Sequence, residues 1–284
     1  QPRRRCYIAK RNLVTQLEND RSDVGGEMGV STANAIPYPA ARFGRWDNAP
    51  MISVVTVTKN RPLACALSAI ISGGYPLDRI EWIVLNNGTG ELPENIPSSL
   101  KVTHLHRPGK YTVAALRNMA NSASTTDYIV HIDDDDLYVK DHIATRMCAL
   151  VYSDCVGCAE IACINVRNET AYRIGTSNSV LAEASMAYSR AFWEVRPYNE
   201  LLLTGESVLF LNSRPETSVV QVESESVLYA VTHESNLTGE LRNHSGNSDA
   251  YSQIVSQFKH LQHVYPLHLP TRQRWPTGHG ASDL

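Results

Sequence analysis

No run of apolar residues in this 284-residue chain approaches the roughly 20 needed to cross a bilayer. The basic opening at residues 1–5 is not followed by the apolar core of a secretory leader. Both absences give the expectation of a soluble, cytoplasmic chain without a transmembrane segment. An excess of positive charge is missing too. Lys and Arg number 26 against 29 Asp and Glu, so there is no broad basic surface and nucleic acid is not an expected partner. No glycine-rich phosphate loop follows the first apolar strand, where Lys59-Asn60-Arg61 stands instead, which argues against a nucleotidyltransferase. Cys148, Cys155, Cys158 and Cys163 crowd together and include a CxxC, but the second half of a structural zinc site is lacking. With Ala, Val and Ile around them, small buried thiols are expected. Internal repeats are absent.

What is present is the composition of a globular protein, 43% hydrophobic and 19% charged. Residues 1–50 read as an appendage or linker, with a short helix over 7–18 followed by a Gly, Pro and Asn-rich run. From residue 51 the pattern changes. Met51-Ile-Ser-Val-Val-Thr-Val-Thr58 is a nearly continuous β-branched run, as expected for a strand buried on both faces of a parallel sheet. Pro62 opens a helix ended by Gly73-Gly74. Strands over 80–85, 101–105 and 128–132, with a helix over 113–123, continue the alternation and predict a βαβ architecture. Beyond a predicted helix at 138–152 come shorter strands near 161–166, 184–188, 219–222 and 227–231, then a helix over 253–263 and an extended tail.

In such sheets ligands gather where the strands end. Three strand ends are polar: Thr58-Lys-Asn60, Asn86-Asn87-Gly88, and Asp133 to Asp136. Four adjacent carboxylates repel one another, and a divalent cation is the simplest counter-charge. Oxygen ligands suit Mg²⁺ or Mn²⁺, which leave positions open for substrate phosphates. Asp136 also fits a helix start. An EF-hand loop is disfavoured because Tyr138 stands where that loop needs glycine.

These fragments, in order, resemble the family 2 glycosyltransferases. Ser53 to Pro62 is similar to the family's opening strand and loop, Tyr75-Pro76 with Glu81 to Thr89 to its second strand, Leu116-Arg117-Asn118 to its Arg-Asn element, and Asp127 to Asp136 to its strand and DxD motif. The resemblance implies a GT-A type α/β fold: a Rossmann-like, mostly parallel sheet flanked by helices, with a smaller mixed acceptor-side region. It implies a domain over 51–245, divided into a nucleotide-binding half (51–136) and an acceptor half (137–245), with 246–284 as C-terminal helix and tail. It further implies a nucleotide-diphospho-sugar donor contacted by Thr58, Asn60, Arg61, Asn86, Asn87, Arg117, Asp133 and Asp134. Mn²⁺ or Mg²⁺ would be held by Asp135 and Asp133, with His233 completing the metal shell.

Two departures stand out. Asn86-Asn87 replaces the acidic residues that accept a hydrogen bond from the base, and an amide can donate as well as accept. Thr204-Gly-Glu-Ser207 resembles a Glu-Asp element with Ser207 in place of Asp, which makes Glu206 the candidate base of an inverting transfer. Glu206 equally fits a helix-start carboxylate favoured by the helix dipole. Trp193 and Tyr198 could stack on a sugar or simply pack. A non-catalytic nucleotide-sugar or glycan-binding protein and a retaining transferase are the alternatives. Acceptor and oligomeric state are not readable.

Overall fold

The computed structural model describes residues 49–175, 180–203, 205–215, 218–232 and 246–258. The predicted helix at 7–18, the tail beyond 258 and His233 lie outside these.

Strands β1 (Ile52–Thr58), β2 (Ile80–Asn86), β3 (Lys101–His106) and β4 (Tyr128–His131) run parallel in the spatial order β3-β2-β1-β4. Their sequence explains why. Ile52 and Val54 face one apolar cluster with Ile80, Trp82 and Val84, while Val55 faces another with Ile83 and Leu85. Both sheet faces are covered, which demands runs without polar alternation. Helix α1 (Ala64–Ser72) covers the first face through Ala66, Leu67, Ala69 and Ile70. Helix α2 (Val113–Ser122) covers the second through Ala114, Leu116 and Ala120, and the Thr112 hydroxyl caps it by accepting from the Ala115 amide at 3.1 Å.

The second half is built differently. Strand β5 (Leu137–Tyr138) is followed by helix α3 (His142–Leu150), strand β6 (Cys155–Gly157), and the hairpin of β7 (Glu160–Asn165) with β8 (Thr170–Gly175). Then come β9 (Ala187–Ser189), α4 (Arg190–Val195), α5 (Glu206–Leu211), β10 (Val219–Gln221), β11 (Leu228–Thr232) and α6 (Ser248–Phe258). The main sheet has seven strands, ordered β10-β6-β9-β4-β1-β2-β3, in which β9 is antiparallel to both of its neighbours. A second sheet is ordered β5-β11-β7-β8. Helix α6 packs on it, with Phe258 edge-on to Tyr229 at 5.7 Å between centroids.

The expected helix at 138–152 begins later. Leu137 and Tyr138 instead pair with Tyr229 and Leu228, and the helix starts at His142 after Asp141 turns through φ 62°. The expected strand at 184–188 opens as a 3₁₀ turn, Glu183–Ser185, before β9. The last helix starts earlier than expected, at Ser248. Cys155, Cys158 and Cys163 are buried thiols outside any disulfide, and Cys148 is a half-buried one. No described helix is long and apolar enough to cross a membrane.

Candidate active site

Strands β1, β2 and β4 end at the same edge, and the order reverses between β1 and β4, the crevice where open α/β sheets take ligands. Thr58 at the end of β1 donates its hydroxyl to Asp134 at 2.5 Å, and Arg61 Nη1 donates to Asp134 at 3.1 Å and also to Asp135. Arg117, on α2, sends Nη2 to both oxygens of Asp133 at 3.1 Å each. Asp136 behaves otherwise. Its carboxylate accepts the Val231 amide at 3.0 Å, tying the turn to β11 rather than opening a helix.

Burial pushes Asp134 up to about 6, with Asp135 adding to the rise and Thr58 and Arg61 opposing it. Burial likewise raises Asp133 against the pull of Arg117, and Asp135 raises it further. Three carboxylates, those of Asp133, Asp134 and Asp135, thus face two guanidinium groups. Their side chains are unequally covered: Asp134 is buried, whereas Asp133 and Asp135 are 26% and 19% exposed.

An ion such as Mg²⁺ or Mn²⁺ takes one or two carboxylates and completes its octahedron with water and substrate phosphate. Asp135 and Asp133, hard oxygen donors at an open edge, fit that demand. Among the described residues no group of three or more His, Cys, Asp or Glu side chains converges as a full metal cage.

Behind Arg117 lies a buried relay that sequence reading missed. His131 Nδ1 faces Arg117 Nη1 at 2.9 Å and must accept, since guanidinium only donates. His131 Nε2 therefore carries the proton and donates to the Tyr188 hydroxyl at 2.5 Å, which passes on to Tyr198 at 3.3 Å. Burial, with Arg117 and Arg146 nearby, holds His131 well below its ordinary range and keeps it neutral. The ring thus aims Arg117 without adding charge. The signal was present in the alternation Tyr128-Ile-Val-His131, which places a histidine on the same strand face as Ile129.

The loops after β1 and β2 meet beside this turn. Asn60, at φ 57°, accepts the Thr89 amide at 2.8 Å. A Cβ on Gly88 would lie 2.1 Å from Asn60 Oδ1, so glycine is required for this approach. Asn86 is spent within its own loop, accepting from Gly88 at 2.7 Å and donating to the Gly90 carbonyl. Asn87 is asymmetric: Nδ2 donates to the carbonyls of Arg107 at 2.6 Å and Gly109 at 3.2 Å. No described group donates to its Oδ1, so this amide offers an acceptor and withholds its donor.

In the second half of the chain Glu206 is 6% exposed at the start of α5. Burial raises its pKa, Arg117 opposes, and Glu183 and Asp133 raise it again. Glu183, which sequence reading did not single out, is half-buried and accepts the Ser207 amide at 2.9 Å. Trp193 and Tyr198 are packed rather than presented. The Trp193 indole donates to Asn118 Oδ1 at 3.0 Å, and Tyr198 stacks on Phe210 at 4.3 Å.

A family model described as glycosyl transferase family 2 matches residues 53–199. The chain belongs to glycosyltransferase family 2. Among solved structures this family 2 chain is similar to residues 1–349 of TarS from S. aureus in complex with UDP-GlcNAc, at 15% identity and TM-score 0.50, covering 73% of this chain and 71% of that one. It also matches full TarS, at 16% identity and TM-score 0.49, covering 73% of this chain but spanning only 42% of the TarS length. The mannosyltransferase PcManGT from Pyrobaculum calidifontis, in complex with GDP-Man and Mn²⁺, matches at 15% identity and TM-score 0.49, with coverages of 78% and 72%. At such identities the TarS 1–349 likeness speaks for the fold, the GT-A type sheet expected for family 2. No curated protein matches the chain.

Proposed function

We propose that this family 2 chain transfers a sugar from a nucleotide-diphospho-sugar to an acceptor hydroxyl with inversion, using Mg²⁺ or Mn²⁺ held by Asp135 and Asp133. The observation that carries the proposal is the convergence at the β1–β4 switch point of Thr58, Arg61, Arg117 and the aspartates of the 133–135 turn. The donor complexes of the TarS and PcManGT structures accord with a nucleotide-sugar. The 51–136 half would hold the nucleotide, and the 137–245 half would shape the acceptor side.

The bound ion would neutralise the departing diphosphate. Arg61 holds Asp134 and Asp135 in place, and Arg117 does the same for Asp133. Asn87 Oδ1 would accept an N–H from the base, the ring N–H of uracil, thymine or guanine or the exocyclic amine of cytosine. A carboxylate of the Glu206 and Glu183 pair would take the acceptor proton.

The test is calorimetric titration of UDP, GDP, dTDP and CDP with and without Mn²⁺, on the wild type and on Asp135→Ala. The expected result is metal-dependent binding of at least one of the four nucleotides. Asp135→Ala should weaken it at least 100-fold, about 3 kcal/mol. Binding of no nucleotide under any metal condition would falsify the proposal.

A further inference from the structure

Two glutamates stand on the acceptor side, and they differ in what can reach them. Glu206 is almost wholly enclosed, whereas Glu183 is half-buried. One oxygen of Glu183 is fixed by the Ser207 amide at 2.9 Å, and none of the described residues donates to the other. The Glu183 carboxylate is therefore oriented on one side and available on the other, the arrangement a general base requires.

Its position relative to the aspartate turn is fixed by a phenol together with Arg146, which reaches the carbonyls of His131 and Ser185. Tyr138 accepts the Asp133 amide at 2.8 Å and donates to the carbonyl of Ala184, the next residue after Glu183, at 2.9 Å. Arg117 lies within electrostatic range of Asp133, Glu206 and Glu183 together, and its Nε is buried without a partner. Position 207 is serine, so the helix start supplies no second carboxylate of its own, and the chain brings one there from residue 183.

We propose that Glu183, rather than Glu206, removes the proton from the attacking hydroxyl, an assignment that rests on the transferase reading above. The acceptor O–H bond breaks and its proton passes to the free Glu183 oxygen. The acceptor oxygen bonds to the anomeric carbon as the bond from that carbon to the diphosphate oxygen breaks, and the electron pair leaves with the nucleoside diphosphate. Glu206 stays inside and positions Arg117 through its charge.

The experiment follows release of UDP or GDP from UDP-glucose, UDP-N-acetylglucosamine and GDP-mannose with Mn²⁺, water serving as acceptor, while calorimetry with the free nucleotide reports donor-site integrity. Glu183→Gln retains an oxygen for the Ser207 amide and is expected to keep nucleotide affinity within twofold. Its turnover should fall at least 100-fold, within the usual range for loss of a general base. Glu183→Ala should regain turnover with added formate, and Glu206→Gln should lose less than tenfold. A Glu183→Gln enzyme that keeps pace with an active wild type overturns the assignment alone. The same holds for formate rescue appearing in Glu206→Ala instead. A wild type that binds nucleotide yet releases no diphosphate from any of the three donors overturns the transferase reading and this assignment with it.

Discussion

The main sheet has a polar cluster at each end, and the two are built on opposite plans. At the amino edge Glu81 is 2% exposed and closed on every side. It accepts from Ser53 at 3.3 Å, from the Thr125 hydroxyl and amide at 2.6 and 3.3 Å, and from Lys101 at 3.2 Å. Ser124 and Thr126 complete the ring by bonding Ser53 at 2.7 and 2.8 Å. At the carboxyl edge, among the described residues, the carboxylates of the 133–135 turn face Arg61 and Arg117 and stay partly open, 26% exposed at Asp133 and 19% at Asp135. Burial of a charge is therefore no mark of function by itself. A satisfied buried carboxylate holds strands together, and a cluster of partly open carboxylates at a strand edge is where a ligand can reach.

The comparison can be broken at either edge. Arg117→Met removes a buried guanidinium from between His131 and Asp133. Breaking such a pair costs about 3–5 kcal/mol, to be read as a lowered midpoint in urea unfolding, and this is the largest effect on stability expected. Glu81→Gln should cost about 2 kcal/mol at neutral pH, since donors to a buried charged group lose their acceptor. Burial alone would raise the Glu81 pKa, but Thr125 and Lys101 outweigh it and hold the group below 4.5. The folded state thus binds fewer protons, and its advantage is present above the ordinary carboxylate range. It is lost as pH falls through the depressed value, so wild-type and variant melting temperatures should converge in acid. The smallest effect belongs to Lys101→Met. This side chain is 60% exposed, and screening limits its contribution to about 0.2–1 kcal/mol. Added salt should leave the Glu81→Gln difference largely intact while erasing that of Lys101→Met.

The same contrast runs through what could be read from sequence. Strands β1 and β2 announce themselves because both faces are buried, and Ile80-Glu-Trp-Ile-Val-Leu85 can be little else. The aspartate turn and Arg117 were legible from residue type and order. The mixed half was harder, because β6, β9 and β10 have only three residues each and take their pairing from distant segments. Leu137 and Tyr138 look like the opening of a helix until β11 arrives to pair with them. Glu183 carries no local motif at all. It becomes notable only because β9 and α4 return the chain so that residue 207 meets it. Asn87 was ambiguous as a residue type, since an amide both donates and accepts, and the carbonyls of Arg107 and Gly109 decide which it does.

Tyr138 has a consequence of another kind. Its oxygen is the spacer between the turn that would hold the leaving group and the segment that carries Glu183. In the proposed transfer the two sides would be tied by one rigid ring, beside the His131 amide that donates to the Met186 carbonyl at 3.0 Å. Under that proposal, loops contacting the acceptor could vary in length and sequence while this tie stays the same, a division of labour that would let one scaffold be refitted to new acceptors without resetting its stroke.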